Sequence, residues 1–145
     1  MTYLLDVNFL VALFDPRHLN HENAHGWLEA RTRLSWATCP ITENGCVRVL
    51  SAPAYPTVIT TPNEMRARLS HFCERPDHQF WPDDLSILDS LGPKTAASLI
   101  GHAQITDFYL AALAHRHGGV VVTFDASLVR SLKGSELARA VEVAE

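Results

Sequence analysis

The chain has 145 residues, a formal net charge of −4 and 47% hydrophobic residues. This composition predicts one globular domain over residues 1–145, large enough to bury a proper core. No apolar run approaches the roughly 20 residues of a membrane span, so we expect no membrane partner. The negative charge counts against broad nucleic-acid binding through a basic face. It still allows a nuclease, because bound cations reverse the local field of clustered carboxylates.

The sequence features that bear on localisation favour the cytoplasm. The first residues, Met1 to Tyr3, place no basic segment ahead of an apolar one, so we predict no signal peptide. Cys39, Cys46 and Cys73 are odd in number and form no C-x-x-C pair. This usage is typical of a reducing compartment rather than of a disulfide framework.

The first part of the chain alternates strand and helix signals. In order, the pattern predicts a strand at Tyr3–Leu5 ending at Asp6, Asn8 in a turn, a helix from Phe9 to the stop at Asp15-Pro16, a helix capped by Asn20, a strand at Leu34–Thr38 and a helix that begins at Pro40. The last of these helices carries Glu43 near its first turn. Gly45 inside it costs about 1 kcal/mol relative to Ala, which is tolerable where backbone or a ligand approaches closely.

The second part continues the alternation. Thr61 to Glu64 is a capping box with Pro62 at the first helical position, and short helices are expected between residues 85 and 104. We predict Thr106 as the N-cap of the next helix, with Ile105 on its buried side and Gly118-Gly119 as its C-terminal cap. The remaining predicted elements are strands at 79–81, 120–122 and 141–143 and a brief helix at 127–132.

These signals predict an α/β fold with a central, mainly parallel sheet of about five strands and helices on both faces. In right-handed βαβ units, the N-terminus of each helix lies at the same edge as the carboxyl ends of the strands. Open α/β sheets bind their ligands at that edge. Residues that end a strand or begin a helix are therefore the candidates for a site.

Four acids occupy such positions: Asp6, Glu43, Asp107 and Asp125. Each alone is an ordinary turn former or a first-turn residue that complements the helix dipole. Together they would repel one another in a cleft unless divalent cations compensate them, and hard oxygen ligands suit Mg²⁺ or Mn²⁺. Such ions activate water in phosphodiester cleavage. Polar side chains that could orient the carboxylates or a phosphate are Asn8, Thr106, Thr123 and Ser127.

The segments LLDVN, TEN around Glu43, TDFYLAALA and VVTFD together resemble a PIN-domain ribonuclease of the VapC toxin type. The resemblance covers nearly the whole chain in the right order and spacing. It implies a three-layer α/β/α sandwich in which Asp6, Glu43, Asp107 and Asp125 bind Mg²⁺ or Mn²⁺ and cut RNA. Asn8 and Thr123 would support them. It also implies a homodimer held inactive by a cognate, VapB-like antitoxin. Leu128 stands where many relatives would have phenylalanine.

A competing motif is His21-Glu22-Asn23-Ala24-His25, which matches the H-E-x-x-H signature of zinc metalloproteases. Glu43 downstream is a conceivable third ligand. The extended motif fails, because Leu28 stands where a glycine is needed and Arg31 where a third histidine is needed. The histidines flank an apolar stripe, which is typical of a surface helix that covers a sheet.

Two further classes of protein share parts of this pattern. A haloacid-type phosphatase also begins with a strand that ends in Asp, but it needs a second Asp where Asn8 stands. A non-catalytic binding module on the same fold gains no support from a chain that keeps all four acids. Apolar faces around Phe9, Leu13 and residues 62–75 are either intramolecular core or a surface for an amphipathic partner helix. The sequence does not identify the RNA.

Overall fold

The computed structural model of the chain describes residues 1–31 and 35–145. These residues form five β-strands, which are β1 (Thr2–Leu5), β2 (Ser35–Thr38), β3 (His78–Phe80), β4 (Val120–Thr123) and β5 (Val141–Val143). They also form seven α-helices, which are α1 (Val7–Phe14), α2 (His21–Glu29), α3 (Pro40–Ser51), α4 (Pro62–Phe72), α5 (Pro93–Ser98), α6 (Ile105–Arg116) and α7 (Ala126–Leu132). Short 3₁₀ turns cover His102–Gln104 and Ala138–Ala140.

The five strands form one sheet in the order β3-β2-β1-β4-β5, and every neighbouring pair is parallel. β1 is the central strand, and its Leu4 is level with Ala37 of β2 and Val121 of β4. The prediction of a mainly parallel sheet of five strands is confirmed. The second strand begins at Ser35 in the structure, while Leu34, its predicted first residue, lies outside the described residues.

Helices cover both faces of the sheet, because alternate residues of the central strands point to two separate cores. Leu4 and Val121 pack in one core with the apolar residues of α6 and α7. Leu5 and Val122 pack in the other with those of α1, α2, α3 and α4. The three-layer α/β/α arrangement is therefore confirmed. Strands buried on both faces explain why the β4 segment is a continuous run of valines.

The apolar helix faces considered as a partner surface belong to the second core. Phe9 is fully buried and Leu13 is 5% exposed, while Met65 and Leu69 carry the buried side of α4. The question left open by the sequence is thus settled in favour of intramolecular packing for these four side chains. Across residues 1–31 and 35–145, no helix has the length and apolar character that crossing a bilayer requires.

Helix α6 begins earlier than predicted. Its N-cap is Gln104 rather than Thr106, because the 3₁₀ turn at His102–Gln104 runs directly into the helix. The Gln104 side-chain oxygen accepts hydrogen bonds from the backbone N–H groups of Ile100 and Gly101. Thr106 is exposed, and Ile105 is 46% exposed, so the prediction that Ile105 faces the core is wrong. The predicted C-terminal cap is confirmed, since Gly118 adopts φ +69° after the helix ends.

Candidate active site

Asp6 lies where the central strand meets the first helix. Its backbone N–H donates to the Val122 carbonyl oxygen at 3.0 Å, which extends the pairing of β1 with β4. Its side chain then caps α1, because Oδ1 accepts the backbone N–H of Val7 at 2.7 Å. The residue is only 6% exposed. The same strand-to-helix transition thus buries a carboxylate at the carboxyl edge of the sheet.

Asp125 occupies the equivalent position after β4, as the N-cap of α7. Its Oδ1 atom accepts the backbone N–H of Ser127 at 2.9 Å and the Ser127 hydroxyl at 2.6 Å. Both bonds go to one oxygen, so Oδ2 accepts no hydrogen bond from the described residues. The Thr123 hydroxyl oxygen accepts the Asp125 backbone N–H at 3.1 Å, which fixes the turn between strand and helix.

Asn8 ties the two aspartate turns together. Its Nδ2 donates to the Thr123 hydroxyl at 3.0 Å, and its Oδ1 accepts the backbone N–H of Phe124 at 3.2 Å. The prediction that Asn8 lies in a turn before the helix is wrong. Because Asp6 is the N-cap, the helix already includes Asn8 in its first turn. From there the amide reaches the end of β4.

Asp107, in the first turn of α6, completes a group of three aspartates. A cavity of about 460 Å³ is lined by Asp6, Asp107 and Asp125 together with Asn8, Val7, Val11, His18, Val49 and Tyr55. The Asp107 carboxylate accepts no hydrogen bond from the described part of the chain, and no Lys or Arg there lines the cavity. Among the described residues, the cavity is therefore lined by three aspartates and by no lysine or arginine.

Burial and the neighbouring charges both raise the pKa values of two carboxyl groups in this cavity. Burial raises the pKa of Asp107 to about 6, and the charges of Asp6 and Asp125 add to the effect. Burial also raises the pKa of Asp6 above its usual value, although hydrogen bonds from Thr123 and from the Val7 N–H act in the opposite direction. Asp6 and Asp107 therefore hold their protons more tightly than in water, an effect that a bound cation would reverse.

Glu43 does not line the cavity of these aspartates. It lines an adjoining pocket of about 390 Å³ between α3 and α4. Its Oε2 accepts the Thr38 hydroxyl at 2.6 Å, and the same hydroxyl oxygen is 2.8 Å from Nε2 of His78. The structure thus brings three of the four predicted acids into one cavity and the fourth into its neighbour. The role of Glu43 in a shared site stays a prediction.

The contact between Val7 and α3 explains a glycine in that helix. Val7 lines the aspartate cavity, and a Cβ at position 45 would lie 2.6 Å from Val7 Cγ2. Only glycine lets α3 approach the start of α1 this closely. The expected close approach at Gly45 is present, but the approaching group is not the backbone or ligand that the sequence suggested. The partner is a side chain of the first helix.

The supporting polar residues divide into two groups. Asn8, Thr123 and Ser127 make the hydrogen bonds that hold the aspartate turns, whereas the exposed side chain of Thr106 makes no hydrogen bond to the described residues. Two cavity residues were missed by the sequence analysis, His18 and Tyr55. Both come from irregular segments that carry no motif. Only tertiary contacts bring them to the cavity, through bonds such as that from Tyr55 to Asp15 at 2.6 Å.

The H-E-x-x-H segment serves a structural role. His21 Nδ1 lies 2.7 Å from the carbonyl oxygen of Ala12, and His25 Nε2 lies 3.0 Å from that of Leu13. These carbonyls belong to the last turn of α1, where helix oxygens need external donors. Glu43, the conceivable third ligand, lies near His78 instead. The geometry therefore gives no support to a zinc protease site at His21, Glu22 and His25.

The strand order of the sheet and the acids at its carboxyl edge define a class of protein. Comparison with known protein families identifies that class. The family model described as PIN domain matches residues 3–131. The chain therefore belongs to the PIN-domain family.

Within that family the chain is of the VapC type. It is 46% identical over 132 residues to Ribonuclease VapC39 of Mycobacterium tuberculosis, a match that covers 90% of this chain and 94% of the relative. It is 44% identical over 130 residues to Ribonuclease VapC44 of the same organism, covering 88% and 89%. The predicted resemblance is confirmed.

Solved structures share the fold at lower identity. The VapBC2 structure from Rickettsia felis, bound to a DNA fragment from their promoter, matches with a TM-score of 0.60 and 14% identity over the full length of both chains. FitAcB from Neisseria gonorrhoeae matches with a TM-score of 0.52 and 21% identity, covering 99% of this chain and 96% of the other. At this identity the likeness supports the fold alone.

Proposed function

We propose that this protein is a metal-dependent endoribonuclease and the toxin of a type II toxin–antitoxin pair. The observation that carries the proposal is the cavity lined by Asp6, Asp107 and Asp125, in which no counterion from the described residues offsets the negative charge. Burial first, and the neighbouring carboxylates second, raise the pKa values of Asp6 and Asp107. The relatives at 46% and 44% identity are named ribonucleases.

The donor set fits the proposed cofactor. All the charged donors are carboxylate oxygens, which suit Mg²⁺ or Mn²⁺ better than softer metals. Asp6, Asp107 and Asp125 would hold the ion, and Glu43 would contribute a fourth carboxylate from the adjoining pocket. When bound, the ion supplies an activated water and neutralises charge on the leaving oxygen.

The protein's own groups position the carboxylates. The Val7 N–H holds one oxygen of Asp6, and Ser127 holds one oxygen of Asp125, so that each keeps a second oxygen for the cavity. Asn8 and Thr123 keep the two turns in register. Held in this way, the carboxylates need little reorganisation to bind a cation, which is the main requirement of electrostatic catalysis.

We assign the exposed hydroxyls of Thr106 and Ser127 to the RNA backbone. Both lie in the first turn of a helix beside a site aspartate, where an N-terminus favours phosphate. With a net charge of −4, contacts of this local kind would have to carry much of the substrate binding. The aspartate cavity itself would meet the scissile phosphate only with its cations in place.

Control by a partner follows from the same charge. An arginine from a cognate antitoxin can pair with carboxylates bidentately and so compete with the metal. The proposed assembly is a cytoplasmic homodimer, held inactive by a VapB-like antitoxin until that partner is lost. The free thiols of Cys39, Cys46 and Cys73 agree with a reducing compartment.

The nuclease proposal is tested with the purified protein and an RNA pool. Cleavage should require Mg²⁺ or Mn²⁺ and stop in EDTA. Asp6→Asn should lower the rate by about 100-fold or more, as loss of a preorganised electrostatic group does. Asp89→Asn, an exposed carboxylate outside the cavity, is the matched control and should cleave normally. Cleavage undiminished by EDTA would overturn the proposal.

The toxin proposal is tested separately in cells. Expression of the wild-type chain should arrest growth, and co-expression of the neighbouring small open reading frame should restore it. Asp6→Asn should be harmless without any partner. If the wild-type chain is equally harmless in several hosts, the toxin assignment fails while the nuclease assignment is judged on the purified protein. Sequencing RNA ends from arrested cells would identify the substrate.

A further inference from the structure

A second group of metal-ligating side chains surrounds Glu43, outside the aspartate cavity. Cys73 follows the last turn of α4, and His78 begins β3. One ligand atom each from Glu43, Cys73 and His78 lies within 4.8 Å of the other two. We propose that these three side chains form a binding site for Zn²⁺, separate from the all-oxygen site of the aspartates.

The donor chemistry selects the metal. Thiolate and imidazole ligands favour zinc over magnesium or manganese, which prefer oxygen. Three protein ligands with a fourth position left for water are a common zinc arrangement. Zinc–ligand bonds of about 2.0–2.3 Å separate ligand atoms in a tetrahedron by roughly 3.5 Å, so side-chain movements of about 1 Å would close the site. The Cys73 thiol loses its proton to solvent when the sulfur coordinates.

The surroundings provide what such a site needs besides ligands. Thr38 orients two of the three, because its hydroxyl donates to Glu43 Oε2 at 2.6 Å and its oxygen is 2.8 Å from His78 Nε2. Outer contacts of this kind hold ligands ready for a metal. Glu43 and Cys73 both line the pocket of about 390 Å³ between α3 and α4, which gives an entry path and room for a water ligand.

The site has a consequence for activity that rests on the proposed nuclease function. Glu43 is shared between the zinc site and the proposed catalytic carboxylates. Zinc bound by Cys73, His78 and Glu43 would hold the Glu43 carboxylate beside Cys73 and His78 and withhold it from the aspartate cavity. Zinc at this position should therefore inhibit RNA cleavage.

Binding is tested without RNA, on the metal-stripped full chain, with Co²⁺ as a spectroscopic substitute for Zn²⁺. The wild-type chain should bind one equivalent with a sulfur-to-cobalt charge-transfer band that Zn²⁺ abolishes. Cys73→Ala should lose the band, and His78→Ala should weaken binding by about 100-fold or more, since even outer-shell changes cost ~10–100-fold. Cys46→Ala and His71→Ala are the matched controls and should keep it.

Circular dichroism checks folding, with Cys73→Ser and His78→Gln as replacements if an alanine variant unfolds. Absence of the band in the wild-type chain, or a full band without Cys73, overturns the zinc site. Glu43, Thr38 and His78 are then a hydrogen-bonded network only.

The inhibition step is measured as the ratio of cleavage rates with and without micromolar Zn²⁺, in excess Mg²⁺. The ratio should fall well below one for the wild-type chain and stay near one for Cys73→Ala, whatever the rate of that variant without zinc. Equal inhibition of both overturns the link to activity. A wild-type chain that never cleaves RNA refutes the proposed function instead, and cobalt binding still decides the zinc site.

Discussion

Replacing Asp107 with asparagine should stabilise the metal-free protein. The carboxylate lies in the cavity with Asp6 and Asp125, accepts no hydrogen bond from the described residues, and has its pKa raised from 3.8 to about 6, by burial first and by the two neighbouring charges second. A raised pKa means that the folded state binds this proton more tightly than the unfolded state. Stability therefore falls as the pH rises from about 4 to beyond 6.

The size of the effect follows from that difference. Two pKa units correspond to about 3 kcal/mol of unfolding free energy. Because Asp107 is only half buried, solvent screening reduces this to about 1–2 kcal/mol. Asparagine keeps the shape of the side chain and removes the charge. At pH 8 the Asp107→Asn variant should therefore melt about 3–6 °C above the wild-type chain in EDTA.

Thermal unfolding at two pH values tests this electrostatic explanation of the stability gain. At pH 4 the wild-type carboxyl is mostly protonated, so the advantage of the variant should shrink to about a fifth. Mg²⁺ should stabilise the wild-type chain more than the variant, because only the former keeps the full set of carboxylates. Asp89→Asn, exposed and outside the cavity, should show neither effect. A gain of equal size at both pH values would refute the electrostatic explanation.

Three further substitutions test the packing around the site. Asn8→Ala removes the side-chain hydrogen bonds that tie α1 to the end of β4, so unfolding free energy should fall by about 1–3 kcal/mol in urea titrations and RNA cleavage by about tenfold. Asp15→Ala removes a buried carboxylate that accepts the Tyr55 hydroxyl and should cost about 3 kcal/mol by the same measurement. Gly45→Ala should destabilise by about 1–3 kcal/mol despite its better helix propensity, because the new methyl group meets Val7; a stabilised variant would contradict this packing.

The fold was predictable because its signals are local. The buried valines of β4, the glycine that ends α6 and the proline that begins α3 each act through their own backbone geometry. The start of α6 was misplaced because Thr106 is a good capping residue by type. In the structure a preceding 3₁₀ turn supplies the cap through Gln104 instead. Two competing local solutions existed, and the packing of the preceding segment decided between them.

The residue types of the candidate site were predictable from the sequence, but the hydrogen bonds that connect these residues were less so. The sequence pattern identifies Asp6 and Asp125 as residues that end strands and begin helices. The tie between them through Asn8 joins residues more than a hundred positions apart, so no local pattern reveals it. His18 and Tyr55 reach the cavity from loops, and their placement depends on tertiary bonds such as that between Tyr55 and Asp15.

The separation of Glu43 from the aspartates follows from the order of strands. The argument that all four acids share one edge of the sheet holds for any order, because every parallel strand ends at that edge. In this sheet, Asp6 and Asp125 follow the adjacent strands β1 and β4, whereas Glu43 begins the helix after β2, on the other flank of β1. Thr38 at the end of β2 accordingly holds the Glu43 carboxylate on the β2 side, beside Cys73 and His78. Lateral position in the sheet is a non-local property, which is why no local pattern showed that Glu43 lies beside these two side chains.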